Sequence, residues 1–294
     1  MSFGRTLPTD LKQSEQLCRR LATSHYENFL VASILLPRRI RQPFYNIYAF
    51  CRTADDVADE SPSSQIAIEG LGQLQSQLDA VFARDFPGQS QPAGLFPALA
   101  ETIATYKLSK EPFDDLLSAF RQDQSVRVYE TTPQLIDYCT RSANPVGRLV
   151  LQLAESLSPT TAELSDQICT GLQLVNFCQD VLRDRQIGRI YLPGDLRDRF
   201  GVKTEMICAG STPPPLRKML AALCDQAEDF FRRGLPLADH VPKWLASDVK
   251  LFAHGGMATL RAIREIDFDV LRVRPKVGKL QQMKLVARAI LGKL

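Results

Sequence analysis

The sequence predicts a single all-α domain of roughly ten helices over residues 1–294. Three features support this fold class. Apolar residues recur at intervals of three and four, as in a helix that buries one face, in segments such as 66–82, 216–233 and 243–265. Clusters of proline, glycine and serine separate these segments. No segment alternates apolar and polar residues like a half-buried strand, and no internal repeat is present.

The composition excludes several classes of protein. The net charge is only +3, and no basic run alternates with aromatic residues, so no nucleic-acid partner is expected. Seven scattered cysteines without a C-x-x-C pair favour reduced thiols in a cytoplasmic protein over a disulfide framework or a thiolate zinc site. No apolar run approaches the roughly 18 residues of a transmembrane helix, and the N-terminus lacks the apolar core of a secretion signal.

The first half of the chain contains several helical segments with short breaks between them. Pro37 and Pro43 interrupt one segment, which predicts a short helix, a turn and then a long helix from Gln42 to Glu60. A Pro/Gly-rich surface loop is predicted at 86–94. The other helices predicted in this half lie at 9–22, 66–82, 95–106 and 112–122.

The second half begins with a helix opened by Thr132 and Pro133, and Asn144–Pro145 predicts a kink or break within it. Ser158 and Pro159 open a helix that we expect to continue to about residue 186. Gly188 ends that helix, and an ordered loop is predicted over 188–201. The remaining helices are predicted at 216–233, 243–265 and 279–294.

Two of these helices carry carboxylates four residues apart. Asp55 and Asp59 stand in one helix, and Asp180 and Asp184, preceded by Asn176, stand in the other. Each four-residue step turns by only about 40° on an α-helix, so the side chains of each set share one face. The sequence therefore predicts two acidic helical faces.

The acids of the first helix continue a line that begins with Phe44 and Tyr48. A solvated acidic face normally lies opposite the apolar stripe, so this line predicts an internal polar cavity. Mg²⁺ prefers oxygen ligands and is held by one or two carboxylates plus substrate phosphates. The residues therefore predict a site that binds a diphosphate through Mg²⁺, with ordinary salt-bridged helices as the alternative. The arginines beside the acids are Arg52, Arg183, Arg185 and Arg189.

At these residues the chain resembles the squalene/phytoene synthase family of head-to-head prenyl synthases, from about residue 25 to 291. YAFCRTADDVAD resembles the family's first aspartate-rich motif, QLVNFCQDVLRD resembles the second, and GRIYLP is its usual continuation. DYCTRSANPVG resembles the family's YC…VG segment. The matching positions are Tyr48, Arg52, Asp55, Asp59, Tyr138, Gln173, Asn176, Asp180, Asp184, Arg189 and Tyr191.

The resemblance implies an isoprenoid synthase fold in which the two motifs face each other across a central cavity. It also implies roles for individual residues. The metal ligands would be Asp55, Asp59, Asn176, Asp180 and Asp184. The catalytic residues would be Tyr48, Tyr138, Asn176 and Asp180. The substrate-binding residues would be His25, Asn28, Phe29, Arg52, Gln173, Arg189, Tyr191 and Arg272.

Two segments, HYENFLVASILLP and SANPVGRLVL, resemble the bacterial hydroxysqualene synthases of the hopanoid pathway. That branch implies a Mg²⁺-dependent reaction in which presqualene diphosphate loses diphosphate and the rearranged cation captures water, without NADPH. The enzymatic alternative is a condensing synthase that joins two prenyl diphosphates to give presqualene diphosphate, dehydrosqualene or phytoene. A non-catalytic relative that binds lipids or partner proteins is the alternative from another class.

The last segment, KLQQMKLVARAILGKL, places Leu280, Met283 and Ala287 on one side of a helix. We expect a terminal helix docked on the core, with a membrane-surface helix as the alternative. The family's substrates are membrane-soluble prenyl diphosphate lipids. The resemblance therefore implies a cytoplasmic protein in peripheral contact with the inner face of the membrane, and other enzymes of the squalene/hopanoid pathway as candidate partners.

Overall fold

The structure, a computed structural model, describes residues 11–24, 36–83, 94–290 and 294. Within these residues the regular structure is helical, apart from one isolated parallel β-bridge between Val128 and Ile190, which confirms the all-α prediction. Contacts between Cα atoms divide the chain into an N-terminal unit, Met1–Ser125 with Leu149–Glu155, and a C-terminal unit, Val126–Arg148 with Ser156–Leu294. The single-domain assignment stays a prediction.

The N-terminal unit is organised around its longest described helix, α2, which packs against the four others. Phe50 of α2 is fully buried and makes edge-to-face contacts with Phe96 and Phe113, at centroid distances of 6.2 and 5.2 Å. These contacts fix the position of α2 within the unit. The helices are α1 (Leu11–Ser24), α2 (Arg38–Glu60), α3 (Ser64–Ala83), α4 (Phe96–Tyr106) and α5 (Glu111–Gln122).

Helix α2 begins earlier than the sequence predicts, at Arg38 rather than Gln42, so the predicted turn between the two prolines is wrong. Pro37 is the N-cap residue, and Pro43 lies inside the helix. Pro43 has no N–H to donate to the carbonyl oxygen of Arg39, four residues before it. The hydroxyl of Tyr106 donates to that oxygen instead, at 3.4 Å. The proline is therefore tolerated because a neighbouring helix bonds the exposed carbonyl.

The C-terminal unit is built around helix α8, which packs against α12 and α13. The helices are α6 (Thr132–Ser142), α7 (Asn144–Leu153, whose residues belong to both units), α8 (Pro159–Gln179), α9 (Val181–Gln186), α10 (Gly194–Phe200), α11 (Thr204–Ile207), α12 (Pro214–Gly234), a 3₁₀ helix (Leu235–Asp239), α13 (Lys243–Glu265) and α14 (Lys279–Ile290).

The three helices α8, α12 and α13 meet at the ring of Phe231, which is fully buried. A Cβ atom placed on Gly171 of α8 would lie 3.0 Å from this ring, and one on Gly256 of α13 would lie 2.2 Å from it. The absence of these two side chains allows α8 and α13 to approach the ring closely. This packing holds α8, which carries the second acidic motif.

The predicted helix starts and breaks in this unit are largely confirmed. Ser158 caps α8 by accepting a hydrogen bond from the backbone of Thr161, and Thr131, one residue before the predicted cap, does the same for α6. The break predicted at Asn144–Pro145 separates α6 from α7.

Two predictions in this unit are wrong. The helix expected over 160–186 is interrupted at Asp180, whose φ and ψ are −107° and 17°. Aspartate is unfavourable inside a helix, and the carboxylate of Asp180 pairs with an arginine. The segment 188–201, expected to be a loop, contains the short helix α10. Its seven residues are too few to show helical periodicity in the sequence. None of the described helices is long and apolar enough to cross a membrane.

Candidate active site

The first acidic motif lies on α2, where one arginine binds two of its carboxylates. Arg52 Nη2 lies 2.5 Å from Asp56 Oδ1, and Arg52 Nη1 lies 3.2 Å from Asp55 Oδ2. Asp59, one turn further along the helix, is exposed. The sequence left open whether Asp55 or Asp56 binds the metal. Asp56 is the closer ionic partner of Arg52, although it is Asp55 that accepts a hydrogen bond from it. Asp56 helps to fix this guanidinium beside the two predicted metal ligands.

The carboxylates of this motif repel one another. Loss of solvent around Asp55, together with the charge of Asp59, raises the pKa of Asp55 to about 6, although Arg52 opposes the shift. Solvent still reaches 42% of the Asp55 side chain and screens part of the repulsion. Tyr48 stands one turn before Arg52, and partial burial raises the pKa of its hydroxyl, which therefore stays protonated at neutral pH. A bound cation would relieve the repulsion between the carboxylates.

The second acidic motif lies where α8 meets α9. Asp180 is only 5% exposed, whereas Asn176 is exposed and Asp184 is half-buried. The backbone hydrogen bonds from Asp180 to Asn176 and from Asp184 to Asp180 persist, at 2.9 and 2.8 Å, across the helix break. The three residues therefore keep the helical spacing that the sequence predicts.

Arg274 reaches Asp180 from the segment between α13 and α14. Its Nε and Nη2 atoms donate to the two carboxylate oxygens of Asp180, at 2.5 and 3.1 Å. The side chain of Gln179 donates to the carbonyl oxygen of Pro275 at 2.6 Å. A planar guanidinium that meets both oxygens of a carboxylate forms one of the stronger ion pairs in proteins. This segment is therefore bound to the C-terminal end of α8.

The segment is also anchored further upstream. Asp269 accepts a hydrogen bond from the backbone of Thr212 at 2.7 Å, and the backbone of Leu271 donates to the Thr212 hydroxyl at 3.1 Å. Arg272, predicted to bind substrate, is exposed, and it is Arg274 that contacts the second motif. The sequence singled out Arg272, but which arginine reaches Asp180 depends on backbone contacts distant in sequence.

Four aromatic rings form a cluster beside the second motif: Tyr129, Tyr138, Phe177 and Tyr191. Phe177 and Tyr191 stack with their centroids 4.2 Å apart, and Tyr191 lies 5.8 Å from both Tyr138 and Tyr129. All four side chains are buried. Sequence reasoning missed Tyr129, because it stands in an irregular segment with no motif of its own.

A short backbone pairing brings Arg189 and Tyr191 to this cluster. Gly188 adopts a φ of +77°, a conformation that favours glycine, and ends α9. The backbone N–H of Arg189 then bonds the carbonyl oxygen of Asp184 at 2.8 Å. Ile190 pairs with the segment that contains Tyr129, because its N–H donates to the carbonyl oxygen of Arg127 at 2.8 Å.

A small cavity of about 10 Å³, with room for about one water molecule, lies beside these residues. It brings together three predicted site residues, namely Asp184, Arg189 and Tyr191. Arg189 is itself 7% exposed. A carboxylate, a guanidinium and aromatic rings thus share one small space. The full lining is Phe177, Val181, Asp184, Arg189, Ile190, Tyr191, Leu192 and Ile207.

The remaining predicted residues are distributed as follows. Gln173 is half-buried on α8, and Tyr138 is buried on α6. His25, Asn28 and Phe29 lie outside the described residues. Tyr48, Arg52, Asp55 and Asp59 belong to the N-terminal unit, and the predicted site residues from Tyr138 to Arg272 belong to the C-terminal unit. That the two acidic motifs face each other across a cavity stays a prediction.

The donors present fit Mg²⁺. Among the described residues, no three His, Cys, Asp or Glu side chains converge into a ready-made cation site. Each motif instead offers paired carboxylates four residues apart. Mg²⁺ needs few protein ligands, since it retains waters and takes phosphate oxygens from a substrate. Asp55 with Asp59, and Asp180 with Asp184 and Asn176, are the groups that would hold it.

Known proteins resemble this chain over most of its length. The family model for squalene/phytoene synthase matches residues 22–281. Hydroxysqualene synthase of Rhodopseudomonas palustris is 36% identical over 221 residues, 74% of this chain and 73% of that protein. Phytoene synthase of Mycobacterium tuberculosis is 29% identical over 285 residues, 96% of this chain and 92% of that protein.

A solved structure extends the similarity to the fold. The crystal structure of squalene synthase HpnC from Alicyclobacillus acidocaldarius matches with a TM-score of 0.82 and 41% sequence identity, covering 90% of this chain and 97% of that one. This match confirms the all-α isoprenoid synthase fold that the sequence predicts. This chain belongs to the squalene/phytoene synthase family.

Proposed function

We propose that this protein converts presqualene diphosphate and water into hydroxysqualene and diphosphate in a Mg²⁺-dependent reaction that uses no NADPH. The C–O bond to the diphosphate breaks, the cyclopropylcarbinyl cation rearranges, and the oxygen of a water molecule bonds to carbon and releases a proton. The observation that carries the proposal is the convergence of Asp184 and Arg189 with the aromatic rings of Tyr191 and Phe177 around one small cavity. The cavity itself is small, but its lining offers a guanidinium that a diphosphate can bind and aromatic rings that attract a carbocation.

In this proposal the charged groups act on the diphosphate. Arg189 would donate hydrogen bonds to its oxygens, and Arg274, which binds Asp180, would join it. The carboxylates of the two motifs would hold Mg²⁺, which would stabilise the negative charge of the leaving diphosphate. Both oxygens of the buried Asp180 carboxylate are paired with Arg274, so Asp180 would bind Mg²⁺ once Arg274 donates to the diphosphate instead.

The aromatic cluster would act on the hydrocarbon part of the substrate. The faces of Tyr138 and Tyr191 carry negative charge density, which attracts a carbocation. Their burial beside Phe177 would keep bulk water away from the cation. Hydroxysqualene synthase of Rhodopseudomonas palustris, 36% identical, supports this choice of reaction.

The direct test is incubation of the purified protein with presqualene diphosphate and Mg²⁺ in the absence of NADPH. We expect a C30 alcohol and free diphosphate, and the loss of both products when EDTA is added. Asp180→Asn should lower turnover at least about a hundredfold, whereas the exposed Asp229→Asn on α12 should not change it. Failure to form any C30 alcohol would contradict the proposal.

A condensing synthase is the second candidate. The phytoene synthase of Mycobacterium tuberculosis covers 96% of this chain, more than the hydroxysqualene synthase does, which favours it. Such an enzyme would consume farnesyl or geranylgeranyl diphosphate as the sole prenyl substrate. Turnover of either compound, together with no reaction of added presqualene diphosphate, would select this candidate.

A further inference from the structure

The helix α14 exposes an apolar ridge. Leu280 is 62% exposed and Met283 is 61% exposed. Among the large hydrophobic side chains in the described part of the chain, these two are the most exposed. Ala287, which continues the same line along the helix, is also exposed. An apolar stripe on a docked helix normally faces the core, so this ridge needs another explanation.

The ridge is not the side by which α14 is attached. The helix packs against α13. Ala289 is buried and Leu285 is half-buried, and at 100° per residue both lie roughly opposite Leu280. Helix α14 therefore has two apolar sides. One side docks on the protein, and the outer one, formed by Leu280, Met283 and Ala287, faces solvent.

Basic residues surround the outer side. The sequence from 272 to 290 contains six lysines and arginines and no acidic residue. Arg274 pairs with Asp180, but Lys279, Lys284 and Arg288 lie on α14 itself and are exposed. On a helical wheel they border the ridge formed by Leu280, Met283 and Ala287. The result is an apolar strip with a positively charged margin.

We propose that the outer face of α14 docks the protein on the surface of an anionic lipid bilayer. Leu280 and Met283 would enter the headgroup region, and Lys279, Lys284 and Arg288 would contact lipid phosphates. The charge favours this occupant over a second copy of the chain. Two copies placed ridge to ridge would bring like charges together, which disfavours association. This inference does not depend on which prenyl diphosphate the protein uses.

Vesicle sedimentation with the full-length protein tests the proposal. We expect binding to vesicles of phosphatidylcholine with phosphatidylglycerol, and binding at least about tenfold weaker to phosphatidylcholine alone. About 0.5 M NaCl should weaken the binding to anionic vesicles by a similar factor. Two double variants remove the apolar ridge or reverse its charged margin. Each should lower the partition coefficient onto anionic vesicles at least about tenfold: Leu280→Ser/Met283→Ser and Lys284→Glu/Arg288→Glu.

Matched variants elsewhere in the C-terminal unit control for general effects. Leu157→Ser removes another exposed apolar side chain, and Lys218→Glu reverses an exposed charge on α12, so both should bind vesicles like the unchanged protein. Equal binding by the ridge variants and these controls would overturn the proposal. So would a dimer in light scattering that Leu280→Ser/Met283→Ser converts to a monomer, because the ridge would then join two copies.

Discussion

Arg274 and Asp180 form a bidentate ion pair between residues 94 positions apart, with Nε–Oδ1 at 2.5 Å and Nη2–Oδ2 at 3.1 Å. Asp180 is buried, and the side chain of Arg274 is 37% exposed. A buried carboxylate is costly unless a charged partner compensates for its lost hydration. The pair therefore ties the second acidic motif to the basic segment that follows α13.

The first prediction concerns the free-energy coupling between these two side chains. Arg274→Gln removes the ionic partner of a buried carboxylate and should lower the free energy of unfolding by about 1–3 kcal/mol. In a double-mutant cycle with Asp180→Asn, the double variant should lose less stability than the two single variants lose together. Urea unfolding measures all four proteins. Arg272→Gln, an exposed neighbour, is the control and should change stability by less than about 0.5 kcal/mol.

A second prediction compares two adjacent glycines on α13. In Gly256→Ala the new Cβ would lie 2.2 Å from the ring of Phe231, so the variant should lose about 1–3 kcal/mol of stability. In Gly255→Ala the new Cβ has no neighbour within 4 Å, and the variant should gain about 0.5–1 kcal/mol from the higher helix propensity of alanine. The midpoint temperatures of thermal unfolding should therefore shift in opposite directions in the two variants. Equal shifts would contradict the close contact between Gly256 and the ring of Phe231.

The third prediction concerns the pH dependence of stability. Asp248 on α13 is 2% exposed, its Oδ1 has no hydrogen-bond partner, and burial raises the pKa of this carboxyl group to about 8. The folded protein thus keeps a proton that the unfolded chain releases above its ordinary pKa of about 4. The contribution of Asp248 to the free energy of unfolding should therefore fall as pH rises from about 4 to 8, by up to about 1.4 kcal/mol per pH unit.

Asp248→Asn tests this contribution, because the amide cannot ionise. The variant should lose this part of the pH dependence and should be more stable than the unchanged protein at about pH 8. The exposed Asp239→Asn, from the neighbouring 3₁₀ helix, should keep the original dependence. Urea unfolding at several pH values gives the free energy of unfolding as a function of pH. If this function has the same slope for Asp248→Asn as for Asp239→Asn, Asp248 does not titrate in this range.

A fourth prediction addresses Tyr129, which positions other rings and need not touch the substrate. Its ring contacts Tyr138 at 5.3 Å and Tyr191 at 5.8 Å. Tyr129→Leu removes the ring against which Tyr138 and Tyr191 pack. The variant should lower kcat with presqualene diphosphate by at least about tenfold. Tyr129→Phe keeps the ring and should retain most of the activity. Comparable loss in both variants would mean that the hydroxyl, and not the ring, is required.

Local sequence signals predicted much of the fold. Ser158 followed by Pro159 marks the start of α8 because capping depends only on adjacent residues. The spacing of Asn176, Asp180 and Asp184 also survives in the structure. The helix break at Asp180 and the contact with Arg274 were not predicted, because the partner lies 94 residues away in the sequence.

Other features depend on tertiary packing in the same way. Tyr129 joins the aromatic cluster only through the backbone pairing of its segment with Ile190. The apolar stripe of Leu280 and Met283 was found correctly in the sequence, but the expected docking does not use it. A helical wheel identifies an apolar side without indicating which side a neighbouring helix covers.

The most direct test of the proposed reaction is turnover of presqualene diphosphate in ¹⁸O-labelled water, with Mg²⁺ and without NADPH. Water capture of the rearranged cation predicts hydroxysqualene that carries one ¹⁸O atom. Mass spectrometry that finds an unlabelled alcohol, or no C30 alcohol at all, would contradict it.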